Sequence, residues 1–336
     1  MTNQPQEIQP PPGLMAALRG GFNAITNHIG LILFPAALDL LLWMGPQVRL
    51  TQLIHTFLDQ MAEFYALADM ETVELLAAGE EMWLLMAERL NLAVGLRTYP
   101  LGVFSLMSSR LPVETPLGDP IVWELQSLGS MFLGFLVITA LGLAFAAIYF
   151  KVVSQAALSE RVNWQEAVFH WRWSFIQIAI LTVLSFVLIL LVGIPGSILL
   201  SAMVLTGSPV MLCVLLLFLG FLFSLLIPLV FTPHGIFARQ QPVLEAAKTS
   251  IRIARMTLPA TSMFFVAALV LSEGLDLLWR VPAESSWLTL VGILGHAFIT
   301  TGLLAASFIF FRDASHWVEG VLNHISPNSI ELTGKT

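Results

Sequence analysis

Apolar positions come in long unbroken blocks. Between 173 and 238 the chain carries no Asp, Glu, Lys or Arg. A bilayer core about 30 Å thick is crossed by about 20 apolar helical residues, so this stretch predicts two spans, 175–204 and 210–231. Gly207-Ser208-Pro209 supplies the turn between them. Four further blocks predict spans at 22–44, interrupted by Asp39, at 125–150, at 256–278, with acids only near its end, and at 285–311. Runs this long do not alternate with period two, which excludes a closed β-barrel. The expected fold class is an all-α, polytopic membrane protein with six transmembrane helices.

Three amphipathic segments precede spans. In the first, Leu14, Leu18, Phe22 and Ile25 line up at helical spacing; in the second, Trp164, Val168, Trp171 and Phe175 do so. The third is the clearest: Leu244, Ala247, Ile251 and Ala254 share one face, and Glu245, Lys248, Arg252 and Arg255 the other. This is the pattern of an interfacial elbow helix whose basic side, Lys248, Arg252 and Arg255, meets lipid headgroups. Once 45–120 is set aside, the three segments recur at similar intervals. They predict a threefold internal pseudo-repeat of elbow helix plus transmembrane hairpin.

The segment 45–120 reads as a helical insertion on the outer side. Leu50, Leu53, Ile54, Phe57, Met61, Phe64 and Ala68 form one apolar stripe. A second helix is expected over 71–96 with Leu75, Met82, Leu85, Met86 and Leu92 turned inward, followed by an extended return marked by Pro112, Pro116 and Pro120. The insertion is rich in acids. They form either a cation-attracting cap or, more simply, a solvated face. The chain thus divides into 1–44 (tail, elbow helix and first span), the extracytoplasmic insertion 45–120, a five-span domain 121–311 with elbows near 160–173 and 242–256, and a tail 312–336.

Composition agrees with this reading. Of 336 residues 57% are hydrophobic and 11% charged, well under the ~25% charged of soluble domains. Mean hydropathy is +0.83, and both a water-soluble globule and a disordered chain are excluded. The formal charge of −7 and the absence of a basic block give no footprint for nucleic acid. The single Cys213 can form no internal disulfide or cysteine zinc site. The N-terminus, MTNQPQEIQPPPG, lacks the basic and apolar regions of a signal peptide. With the N-terminus inside, ten of the fifteen Lys and Arg fall on the cytoplasmic side. The positive-inside bias therefore predicts a bacterial cytoplasmic-membrane protein with both termini cytoplasmic.

A few polar residues fall where chemistry could occur. Asp39 interrupts the first span; it lines a pathway or sits at the outer interface, and its closeness to Trp43 favours the interface. His296 is mid-span, either hydrogen-bonded to another helix or part of a proton relay. Glu273 and Asp276 share a face near the end of the fifth span, and Asp276 is spaced i, i+4 from Arg280 as for an ion pair. His234 follows Pro233 at a span end and is expected to satisfy a helix terminus. No HExxH, P-loop, GxSxG or paired-Cys motif occurs, so no catalytic residues, cofactor or metal are expected.

The run from Phe231 to Ser250, FTPHGIFARQQPVLEAAKTS, ends a span at a proline, turns, and opens an elbow with Glu245-Ala246 and then Ser250. It resembles a loose group of bacterial six-helix membrane proteins that includes the membrane domain fused to some glycerophosphodiester phosphodiesterases. The likeness covers the last two-thirds of the chain. It implies a six-helix membrane fold and brings no catalytic residues. No extramembrane segment is long enough for the phosphodiesterase domain, and the acidic insertion departs from the group's pattern. The function expected from all of this is a non-catalytic membrane scaffold, assembly factor or partner-binding module. It would touch the lipid bilayer and meet a protein partner through 45–120 or the elbows. The alternative is a transporter or lipid-handling protein using Asp39 and His296.

Overall fold

The computed structural model describes residues 11–65, 70–159, 161–205 and 210–325. The expected turn at Gly207-Ser208-Pro209, position Ala68 and both chain ends lie outside the described residues. The helices in chain order are α1 (Leu14–Asn27), α2 (Leu33–Met44), α3 (Thr51–Tyr65), α4 (Met70–Arg89), α5 (Met107–Arg110), α6 (Leu128–Ser159) and α7 (Trp164–Phe169). They continue with α8 (Trp171–Leu205), α9 (Met211–Leu226), α10 (Thr232–Arg239), α11 (Val243–Met256), α12 (Leu258–Trp279) and α13 (Thr289–Ile325). Two short strands, β1 (Gln47–Arg49) and β2 (Val122–Glu124), pair in parallel with Val48 opposite Trp123.

Five helical stretches are long and apolar enough to cross a membrane: Leu128–Ser159, Trp171–Met203, Met211–Arg239, Leu258–Trp279 and Thr289–His324. The block expected as the first span, 22–44, is not one straight helix. The chain bends by 94° between Leu14–Asn27 and Ile29–Met44, through a 3-10 turn at Ile29–Ile32. Twelve residues of α2 rise only about 18 Å, so a sixth crossing requires the bent pair to act as one. Burial separates the helices sharply. Within its most apolar window Thr289–His324 is 78% buried, whereas Trp171–Met203 and Met211–Arg239 are 11% and 6% buried. α13 is a core helix; α8 and α9 expose apolar side chains on nearly every side, as helices facing lipid do.

The chain forms two compact units. The first comprises Met1–Ile29, Phe150–Val270 and Gly302–Thr336. In it α1 rides directly on α13: a Cβ added to Gly21 would lie 2.3 Å from the Ala306 nitrogen, and one on Gly302 would lie 2.5 Å from the Phe22 ring. Phe231, Phe264, Phe308, Phe310 and Phe311 fill the core. Between α9 and α10 the helix is broken at Pro228 and Pro233, which frees backbone groups. Ser250 of α11 answers two of them, accepting from Phe231 N at 2.9 Å and donating to Pro228 O at 2.7 Å. The buried face of α11 is therefore Val243, Ala246, Ser250, Ile253 and Ala254, rotated from the expected face. Leu244 is exposed, and Ala247 and Ile251 are half-buried. Small side chains let α11 approach α10 closely, and the larger apolar edge is left outside.

The second unit comprises Gly30–Tyr149 and Leu271–Thr301. It takes in the whole of 45–120, so the insertion shares a core with α2, the first part of α6 and the chain around 271–301. The first helix appears as α3, but its face is turned from the expected stripe: Leu58, outside the stripe, is buried, while Phe57 of the stripe is exposed. The second helix ends at Arg89 rather than continuing to 96. There Asn91 turns the chain, its Oδ1 accepting from Ala93 N at 3.0 Å and from Val48 N at 2.9 Å. Met82, Leu85 and Met86, expected to face inward, are exposed; Leu101, Val103, Leu106 and Met107 supply the core instead.

Candidate functional site: buried polar clusters

Asp39 lies in the penultimate turn of α2 and is fully buried, not at an open interface. Its carboxylate receives three donors from one turn of chain: the Ser105 hydroxyl at 2.5 Å, Met107 N at 2.9 Å and Leu106 N at 3.1 Å. Ser105 Oγ accepts in turn from Ser108 N at 2.9 Å. The carboxylate thus caps α5 from another helix and satisfies amides that would otherwise be buried without acceptors.

His296 and Asp276 meet. Nδ1 of His296 donates to Asp276 Oδ1 at 2.7 Å, and both side chains are buried. A carboxylate can only accept, so the proton of this bond belongs to Nδ1. Asp276 Oδ2 lies 3.7 Å from Arg280 Nη2, and Arg280 donates to Ser109 Oγ at 2.9 Å. His296 is also within electrostatic reach of Asp39. Nε2 of His296 is buried with no hydrogen-bond partner among the described residues. In an Asp-oriented catalytic histidine, that second nitrogen addresses a nucleophile or substrate; here it is sealed. Glu273 is exposed and takes no part in the cluster.

A neighbouring knot, absent from the sequence reading, is centred on Glu284. Its carboxylate accepts from Val113 N at 2.9 Å and pairs with Arg89 at 3.6 Å and Arg110 at 3.8 Å. Its carbonyl accepts from Trp43 Nε1 at 2.9 Å, and Arg110 also donates to Pro282 O. Nothing local in the sequence marks Glu284, because its partners come from three distant segments, at Trp43, at Arg89 and at Arg110–Val113. The N-cap pattern Ser105-x-x-Ser108 was the available signal for the Asp39 cap.

In the first unit His234 lies in the opening turn of α10, within a cage of Phe231, Phe308 and Phe311. Ser307 already donates to Leu304 O at 2.7 Å, so its oxygen accepts from His234 Nε2 at 2.8 Å. His234 thus bonds to a second helix, α13, instead of serving only its own helix end. Lys248, Arg252 and Arg255 are exposed on α11 and form no ion pair among the described residues. Outside the spans, Glu166 of α7 meets Lys151 at 3.0 Å. The Lys151 ammonium holds its carboxyl below the usual range, through a hydrogen bond first and charge second.

The geometry joins helices and orients backbone; the one hydroxyl bonded to a histidine of these clusters, Ser307 Oγ on His234, is buried and gives its own proton to Leu304 O rather than to the imidazole. Comparison of the chain with protein-family models, with curated proteins and with solved structures finds no match.

Proposed function

We propose that the protein is a non-catalytic scaffold or partner-binding module of the bacterial cytoplasmic membrane. The bent α1–α2 pair serves as the first of six crossings, and α7 and α11 serve as interfacial elbows ahead of the second and third hairpins of a threefold repeat. The observation that carries this reading is the use made of ionisable groups. Asp39 and the Asp276–His296–Arg280 chain are spent on tying segments together, and buried polar groups so bonded fix one arrangement of a fold. Three sectors of α11 support the elbow role. One is buried against protein, one is an exposed apolar edge headed by Leu244, and one is a crest of Lys248, Arg252 and Arg255 suited to anionic headgroups. The resemblance of 231–250 to six-helix bacterial membrane domains points the same way.

Charge supports the orientation. The first unit holds ten of the chain's 15 Lys and Arg, while the second holds fifteen of its 22 Asp and Glu. Segments 160–170, 240–257 and 312–325 are then cytosolic, and 45–127 and 280–288 are outside. To test the function, the full chain is crosslinked in its membrane and extracted in native nanodiscs, and the particle mass is measured. A stoichiometric partner is expected; a lone protomer throughout contradicts the proposal.

One observation favours transport as a second reading: His296 Nε2 lacks a partner beside two carboxylates. In a Cys213→Ser background, an Ala297→Cys protein probes it. Labelling by a small water-soluble thiol reagent would support a water-filled pathway, and complete protection would end it.

A further inference from the structure

α4 carries an apolar strip that no described part of the chain covers. Met82, Trp83, Leu85 and Met86 are all exposed, Leu85 at 59%. At about 100° per residue these four occupy one side of the helix. Glu81 and Glu88, also exposed, occupy the other. Buried Ala87 marks the sector turned toward protein. Over 81–88 the exposed surface therefore has an apolar side and an acidic side.

The end of α4 is fixed at a definite level. Arg89 is held by Glu284, and the chain then enters a 3-10 turn, Leu92–Leu96, laid on the side of α6. A Cβ on Gly134 would lie 3.3 Å from Leu92 Cδ2, and one on Gly95 would lie 3.2 Å from Ile138 Cγ2. Beside these contacts α6 exposes Phe132, Leu133 and Leu136, part of an apolar surface that only lipid would cover in a membrane-spanning helix. The strip on α4 ends at Met86, three residues before the Arg89 anchor, so it continues a surface of the same chemistry. Its acidic half would repel anionic lipid, which points to a zwitterionic leaflet. The tether at Arg89 and Leu92 supplies the proximity that basic residues provide in other surface helices.

We propose that α4 lies in the outer membrane–water interface, with Met82, Trp83, Leu85 and Met86 in the headgroup–acyl boundary of zwitterionic phospholipid and Glu81 and Glu88 in water. This rests on the reading of the exposed face of α6 as lipid-facing, and the test separates the two.

Full-length Cys213→Ser protein is given one spin label in turn at Met86→Cys, Glu81→Cys or Leu136→Cys and placed in phosphatidylcholine nanodiscs. Collision with oxygen and with a water-soluble nickel chelate is then measured. The expected result is oxygen-dominated collision for Leu136 and Met86 and nickel-dominated collision for Glu81. Nickel-dominated collision at Met86 with Leu136 unchanged overturns the proposal. Shielding of Met86 from both reagents also overturns it and assigns the strip to protein. A nickel-dominated Leu136 overturns the lipid-facing reading of α6 as well. Thermal unfolding of each labelled protein within a few degrees of the parent shows that the exposed substitutions leave the fold intact.

Discussion

Asp39 shows how much one side chain can organise. Replacing it with alanine leaves the Ser105 hydroxyl and two amides without that acceptor in a buried place, and each such group costs about 1–3 kcal/mol. Asp39→Ala is expected to lower unfolding stability by about 3 kcal/mol or more, measured by denaturant unfolding in one detergent. Glu273→Gln, at an exposed position, is expected to stay within about 0.5 kcal/mol. Equal effects of the two would contradict the cap. Asp39 was visible in the sequence as a costly residue in an apolar block. Its partners were not, because they lie sixty-six to sixty-eight positions away in a segment with no apolar period. His296 was visible as a mid-span histidine and Asp276 as the i, i+4 partner of Arg280, but their pairing with each other depends on how α12 and α13 face one another.

Helices were legible where length alone decides them. The long apolar blocks became α6, α8, α9, α12 and α13. The bend after α1 falls at the polar run Thr26-Asn27-His28, inside a block whose overall length and apolarity suit one span, and Gly20 and Gly21 seat α1 against α13. Gly21→Ala is accordingly expected to destabilise by about 2 kcal/mol, an overpacking cost. Gly220→Ala on α9, where an added Cβ meets nothing within 4 Å, should be neutral or slightly stabilising. Thermal unfolding of both variants checks the contrast. The face of α11 was misjudged for a related reason: hydrophobicity ranks Leu244 above Ala246, whereas close approach to α10 requires small residues. The α7–α6 link carries a pH dependence. Because Lys151 depresses the folded-state pKa of Glu166, the pair contributes stability above the ordinary glutamate pKa and loses it as pH falls through the lowered value. Melting temperature should therefore fall on the acid side of about pH 4.5 more steeply in the parent than in Glu166→Gln. The difference is small, since the Glu166 side chain is 40% exposed and screened.

At the scale of the molecule, the all-α, membrane-like class, five of the six expected long apolar helices and the uneven charge were legible, because they are sums over many residues. That 45–120 contributes core residues was not, since its burial rests on single bonds from Asp39, Asn91 and Glu284 rather than on composition. The central claim is a chain crossing the membrane repeatedly with its basic segments in the cytosol and its acidic ones outside. Cys213→Ser protein carrying Glu81→Cys or Arg252→Cys, treated in intact cells with a membrane-impermeant maleimide, tests it most directly. Labelling of the Glu81→Cys protein alone, with Arg252→Cys reacting only after permeabilisation, is the expected result. Labelling of Arg252→Cys from outside, or of neither before permeabilisation, would contradict it.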